Sequence, residues 1–196
     1  MMSHKNELPQ KYSQQIESIY EQMDQAYQKA ACSYEFVCNG CDDNCCETRF
    51  FHHTYIEFGY LLKGLHQLSP KKQEQVITKA QKVCDKTQEL LKQQKSVRLM
   101  CPLNEDQKCL IYLYRPMICR LHGLAHELQM PGKPVQYTPG CDAFTKHCEN
   151  LHKEDYYIFD RTPHYIHMAH LEQAFKQEFK IDQRVKMTIA EMIIAN

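Results

Sequence analysis

Four cysteines crowd into nine residues, Cys38, Cys41, Cys45 and Cys46, where an even spread of the chain's 11 cysteines over 196 residues would place about half of one. A second, looser group follows at Cys101, Cys109, Cys119 and Cys141. In Cys38-Asn39-Gly40-Cys41 the glycine allows a bend tight enough for both sulfurs to face one ion at a Zn–S distance near ~2.3 Å. Side chains as close in sequence as Cys45 and Cys46 rarely aim at one ion without backbone strain, so that pair implies two adjacent metals, a cluster or a spare thiol. A site shared by the two groups has to be closed by folding the intervening helical segment back over it, which couples metal binding to folding.

A disulfide framework is the rival reading of a cysteine-rich chain. It needs an oxidising compartment, and the first residues, Met1-Met2-Ser3-His4-Lys5-Asn6-Glu7, lack the apolar run of a secretion signal. The odd total of 11 also leaves a thiol over. Cytoplasmic thiols bound to metal are therefore the expectation. Cys84 falls on the apolar stripe of a helix and reads as a small core hydrophobe; Cys32 and Cys148 are weaker ligand candidates.

The remaining pattern is helical. Ile16, Ile19, Tyr20, Met23, Tyr27 and Ala30 recur at one-face spacing and predict a helix over 9–31. Tyr55, Phe58, Leu62 and Leu65 predict a second, which Ser69-Pro70 interrupts. Ser69 can cap a third helix with Pro70 in its first turn, running to about residue 94 on the stripe Val76, Ala80, Val83, Thr87 and Leu90 and carrying a solvated lysine face. Five of the residues 131–140 are Pro or Gly and predict a loop. Thr162-Pro163 repeats the cap-plus-proline signal for a flanking helical segment over 163–195, within which Thr188-Ile189-Ala190-Glu191 has capping-box spacing. The sum is a single mostly α domain, 1–196, a small helical scaffold around an irregular Cys-rich metal-binding loop region.

The order Cys38-x-x-Cys41-x-x-x-Cys45-Cys46, then Cys101-Pro102, Cys109-Leu110-Ile111-Tyr112 and Arg115-Pro116-x-x-Cys119-Arg120 resembles the YkgJ-type cysteine-cluster family, described as a zinc- or iron-chelating domain, over about 38–141. That family places two residues before its Cys-Cys pair; this chain has three, Asp42-Asp43-Asn44. The resemblance implies zinc or iron bound through Cys38, Cys41, Cys45, Cys46, Cys101, Cys109, Cys119 and Cys141. A related motif in flagellin lysine methylases is associated with an iron–sulfur cluster, which makes such a cluster a further form of the centre. It implies no particular reaction.

Two divalent ions among eight thiolates leave a net charge of about −4, and Arg49, Arg115 and Arg120, near the ligands in sequence, can offset part of it and donate N–H bonds to sulfur. Tyr112, Tyr114 and Pro116 are read as packing that keeps water out. His122 and His126 would share a helix face at i, i+4, although ordinary polar roles are favoured for both. His164, His167 and His170 recur every third residue, drift around a helix and are read as solvated.

Charge excludes some functions. Lys and Arg balance Asp and Glu at 24 each, so no electrostatic footprint for nucleic acid is visible, and no apolar run is long enough to span a membrane. Six scattered glycines form neither a nucleotide-binding loop nor a nucleophile elbow. The expected partner is a metal ion, and the sequence names no protein partner. The leading expectation is a cytoplasmic protein that chelates zinc or iron. The alternatives are an iron–sulfur-dependent oxidoreductase or protein-modifying enzyme built on the same cysteines, and a metal-storage or transfer module.

Overall fold

A computed structural model describes residues 8–38, 45–151 and 158–195. The fold is mostly α: the described residues form seven helices with small sheets between them, 58% helical. Helix α1 (Gln10–Ser33) is followed by α2 (Tyr55–His66), α3 (Pro70–Lys92), α4 (Met117–Leu121), α5 (Asp142–Leu151), α6 (Thr162–Glu178) and α7 (Ile189–Ile194). None of the described helices is long and apolar enough to cross a membrane.

The first three helices lie where the apolar spacing predicts them. Ser69 Oγ accepts the Lys72 N–H and Pro70 opens α3, whose Val76, Ala80 and Cys84 are buried while Lys71, Lys79, Lys82 and Lys86 are exposed. Thr188 and Glu191 form the reciprocal capping box of α7. The segment 163–195 is two helices, not one, because residues 179–188 run irregularly between α6 and α7. His52 and Met187 pair there as an isolated bridge, with both backbone bonds made, at 2.7 and 3.0 Å. Thr162 is also not the cap of α6: its N–H is taken by Asp160 Oδ1 at 2.8 Å and its hydroxyl accepts the Gln129 N–H at 3.0 Å.

The region 100–140 holds more order than its weak periodicity suggests. Strands β1 (Asn104–Glu105) and β2 (Lys108–Cys109) form a hairpin, and β3 (His126–Leu128) lies between antiparallel β4 (Gln136–Thr138) and parallel β5 (Phe159–Asp160). These strands are two or three residues long, too short for an alternating pattern to register in sequence.

Two apolar cores share α2. One gathers α1, α4, α5 and α6 around Ile16, Met23, Leu121, Phe144 and Met168; the other gathers α3, α7 and the hairpin around Leu61, Leu65, Val76, Leu103 and Met192. Enclosed from both sides, α2 buries nine of its 12 residues, Glu57 among them. Gly64 lets the chain pass closely: a Cβ there would sit well inside van der Waals contact of Tyr114 Cβ and Cγ. The Tyr114 ring, in turn, lies 4.9 Å from that of Tyr60.

Gly64→Ala should therefore push Tyr114 and the turn before α4 off α2. The expected cost is about 1 to 3 kcal/mol of overpacking, more than alanine returns in helix propensity. Urea unfolding should show a lowered midpoint with an unchanged slope.

Candidate metal centre

Two routes of the chain bring the cysteines together. At the end of α1, Glu35 takes a left-handed φ of 54° and Phe36 N–H returns to Ala31 O, turning the chain toward α5. Tyr34 and Phe36 meet the Phe144 ring edge-on at 4.8 and 5.2 Å, and His147 Nε2 lies 2.8 Å from Tyr34 O. This packing carries Cys38 toward Cys141, which stands at the start of α5 and accepts the Phe144 N–H on its sulfur at 3.4 Å. Cys141 N–H bonds Gly123 O at 2.8 Å. Beside it Gly140 has φ +96°, and a Cβ there would meet Gly123 O at 2.6 Å, so only glycine fits.

The second route joins sequence-distant groups directly. Cys101 N–H donates to Cys46 O at 2.9 Å, next to the Thr48–Arg98 bridge. Asn104 N–H returns to Cys101 O at 2.9 Å, and the β1–β2 register sets Cys109 opposite Asn104. The hairpin turns through Asp106 and Gln107, both left-handed at φ 50° and 63°, where glycine would be at ease. Left-handed dihedrals at both turn positions match the right-handed twist of the strands, so the turn closes the hairpin that sets Cys109 opposite Asn104. Tyr112–Tyr114 then form a 3-10 turn and Pro116 leads into α4, which carries Cys119. Glu57 Oε1 accepts the Met117 N–H at 2.8 Å and so anchors the first turn of α4 to α2.

Cys38, Cys45, Cys46, Cys101, Cys109, Cys119 and Cys141 all line one cavity of about 860 Å³. Cys41 lies outside the described residues, as do Asp42, Asp43 and Asn44. No disulfide joins the described cysteines. Among the described residues no three His, Cys, Asp or Glu side chains are gathered as an ion cage. Cys84 and Cys148 belong to the two cores instead, and Cys32 is exposed on α1.

The cavity's electrostatics set the thiols apart. Burial pushes Cys101 up to about 12 and raises Cys109 and Cys119 as well. Within the adjoining pair, Cys46 is pushed down to about 6, first by the hydrogen bond from Cys45 and further by Asn104 and the Arg115 guanidinium, while Cys45 is raised as the donor. The Asn104 amide lies against that sulfur, although its Nδ2 falls short of hydrogen-bond geometry. Of that pair, Cys46 is the thiol that ionises first.

The arginines divide. Arg115 stacks on the Tyr112 ring at 3.6 Å, lies near Cys46 and Cys109, and reaches Asp24 Oδ1 with Nη2 at 3.8 Å, while its buried Nε lacks a partner. Arg49 Nε is buried without a partner too, and its side chain also lines the cavity. Arg120 is spent elsewhere: it bonds Asp24 at 2.5 Å, Arg115 O at 3.0 Å and Leu113 O, and its guanidinium covers the Tyr20 ring. It ties α1 to the turn before α4 and has no spare reach toward sulfur. Tyr112, expected as packing, is 57% exposed and forms the cavity rim, whereas Tyr114 is half-buried and Pro116 buried.

The histidines also differ from the sequence reading. Helix α4 ends at Leu121, so His122 and His126 share no helix face; His126 is on β3 with Nδ1 3.1 Å from Leu124 O, and burial pushes it down to about 4. His122 lines the cavity and meets the Phe50 ring at 5.3 Å. His164 is buried, not solvated, while His167 and His170 are exposed. His52 was missed. It is 2% exposed, lines the cavity, and its buried Nε2 lacks a partner. Burial pushes it down to about 4, which keeps it neutral. Only its burial between the 187 bridge and the cavity distinguishes it, and no sequence signal carries that.

No family model matches the chain, and neither a curated protein nor a solved structure is significantly similar to it.

Glu57 provides a test of how α4 is held. Burial raises its carboxyl above the usual range, with Thr54 and the Met117 N–H opposing. A raised acid stabilises the fold fully below the unfolded carboxyl pKa of about 4.3, and that contribution is lost as pH rises through the higher folded value. Glu57→Gln keeps an acceptor for Met117 N–H and removes the titration. Stability measured against pH should fall less steeply above about 4.3 in the variant than in the wild type.

Proposed function

We propose that this is a metal-binding protein which holds zinc or iron through the thiolates of its cysteine cluster, with an iron–sulfur cluster as one form of the iron centre. The observation that carries this reading is the bond from Cys101 N–H to Cys46 O, which puts the two cysteine groups side by side on one cavity. Thiolate sulfur suits zinc and iron and discriminates against magnesium or calcium. The cavity also presents buried N–H groups without acceptors at Arg49 and Arg115, which suit the negative charge of a thiolate-ligated centre. The motif likeness to the YkgJ-type family supports the same donor set: Cys38, Cys41, Cys45, Cys46, Cys101, Cys109, Cys119 and Cys141.

When bound, the metal supplies either a cross-link between the α1, α4 and α5 ends of the scaffold or, as iron, an electron-transfer centre. The chain's own residues do the rest. Glu57 sets the start of α4, Arg115 and Asn104 favour the Cys46 thiolate, and Pro116 helps to wall the site. Reduced thiols of this number suit a reducing compartment, and we place the protein in the cytoplasm on that ground. One observation favours the enzyme reading as a second: the cavity runs past the sulfurs to apolar side chains of Val83, Val97, Leu99 and Ile189, which leaves room for a substrate beside the centre.

Anaerobic purification with elemental analysis and a visible spectrum tests both. A brown, sulfide-containing protein supports the iron–sulfur form, and a colourless one with stoichiometric zinc supports the structural form; protein free of both metals would overturn the proposal. Cys109→Ser and Cys119→Ser should each reduce metal content and lower the melting temperature by roughly 5 to 10 °C, the shift that a loss of about 2 to 3 kcal/mol gives a chain of this size. Cys84→Ala, in the second core, should leave metal content unchanged.

A further inference from the structure

Part of the cavity is built without sulfur. Residues 48–52 form a strip pinned at both ends by backbone pairing, Thr48 with Arg98 and His52 with Met187. The first pairing sets the strip beside Val97 and Leu99, and the second sets it beside Ile189 at the start of α7; Val83 of α3 lines the same space. Within the strip, Phe50 N–H returns to Thr48 O at 2.9 Å. This tight turn breaks the alternation of an extended chain, and Arg49 lines the cavity along with Phe50 and His52.

Two polar atoms of the strip are buried with nothing to bond, His52 Nε2 and Arg49 Nε. His52 is 2% exposed, and its place is fixed because its N–H and carbonyl both bond Met187, at 2.7 and 3.0 Å. Its neutral imidazole offers a donor at Nε2 in one of the two tautomers. A buried donor left unbonded is costly, and a ligand that brings an acceptor removes the cost. Three positions separate the two residues, so their Cα atoms lie at most ~11 Å apart, within reach of one small group between the side chains.

Charge selects the ligand. Asp24 and Glu47, the acidic side chains on the cavity wall, already pair with arginines, Asp24 with Arg115 and Arg120 and Glu47 with Arg98. Arg49 stacks on the Phe51 ring at 4.7 Å and forms no ion pair among the described residues. One positive charge amid apolar walls suits one negative charge on an apolar body; a phosphate, with more charge and more oxygens, needs more donors than these. Resting on the second reading above and its open cavity, we infer that this part of the cavity binds a small organic acid, with its carboxylate between Arg49 and His52 Nε2 and its apolar body against Val83, Val97, Leu99 and Ile189. Arg49 then serves the acid and leaves Arg115 to the sulfurs.

Isothermal titration of the full-length protein, as purified anaerobically, with 2-naphthoate and with octanoate tests this. One-site binding of either acid is expected, with its uncharged counterpart, 2-naphthamide or octanamide, held roughly tenfold more weakly or worse, the factor that a charge-assisted hydrogen bond supplies. Arg49→Met keeps the apolar stem and should lose a similar factor, as should His52→Leu. Arg98→Met, whose charge lies outside the cavity, should change affinity less than about twofold. If His52→Leu loses helical circular dichroism, Arg49→Met carries the test together with Val83→Phe, which fills the apolar space from a half-buried position and should weaken both acids. No saturable binding of either acid, equal affinity for acid and amide, or unchanged affinity in Arg49→Met would overturn the inference. Metal content of the same sample separates this from the reading it rests on: any of those failures in protein that carries zinc or iron leaves the metal reading standing, whereas acid binding by protein free of both metals would support the inference and overturn the metal reading alone.

Discussion

A single buried carboxylate holds the site to the scaffold. Glu57 lies on α2, the helix enclosed by both cores, and its Oε1 takes the first N–H of α4, two residues before Cys119. Its other oxygen bonds the Thr54 hydroxyl at 2.7 Å. Burying a carboxyl is costly unless its oxygens are occupied, and the start of a short helix leaves N–H groups that need acceptors. Each need is met by the other. The same device recurs one step back, where Glu172 of α6 accepts the Tyr55 and Ile56 N–H groups at 3.0 and 3.1 Å and seats the start of α2. Helix α6 thus places α2, and α2 places α4.

The position of the cavity follows from this arrangement. With α2 as a shared wall, the segments that leave each core toward the same side are irregular: the end of α1, the turn at Cys45–Glu47, the β1–β2 hairpin and the start of α5. Irregular chain leaves backbone groups to satisfy, and here they satisfy one another across sequence, Cys101 to Cys46 and Cys141 to Gly123. Glycine enters where backbones pass too closely for a side chain, at Gly140 beside Cys141 and at Gly64 beneath Tyr114. Cysteines on such segments are fixed by main-chain bonds more than by side-chain packing, whereas Cys84 and Cys148, on helices, are absorbed into the cores.

Much of the helical fold was legible because periodicity and caps are local signals. The stripe of α1, the Ser69-Pro70 start of α3 and the Thr188–Glu191 box each depend on residues within a few positions of one another. Helix α5 carried a usable signal, Phe144, Cys148 and Leu151 at helical spacing, that the cysteine pattern overshadowed. The Thr162 cap failed because a tertiary partner, Gln129, claimed its hydroxyl. The i, i+4 pairing of His122 and His126 failed because the chain leaves the helix at Leu121 to enter β3.

What the sequence determined by itself was the helical class and the density of sulfur, since hydrophobic spacing and residue identity need no knowledge of distant neighbours. It could also separate Cys84 from the rest, because a helical stripe marks a core position. Which thiols line the cavity together, that Arg115 and Arg120 both pair with Asp24 while only Arg115 keeps an unpartnered buried Nε, and that His52 joins the cavity at all were decided only in three dimensions. The physical reason is that backbone bonds between residues tens of positions apart, and a carboxylate buried between two cores, are set by how the layers pack, and packing leaves no mark in local sequence.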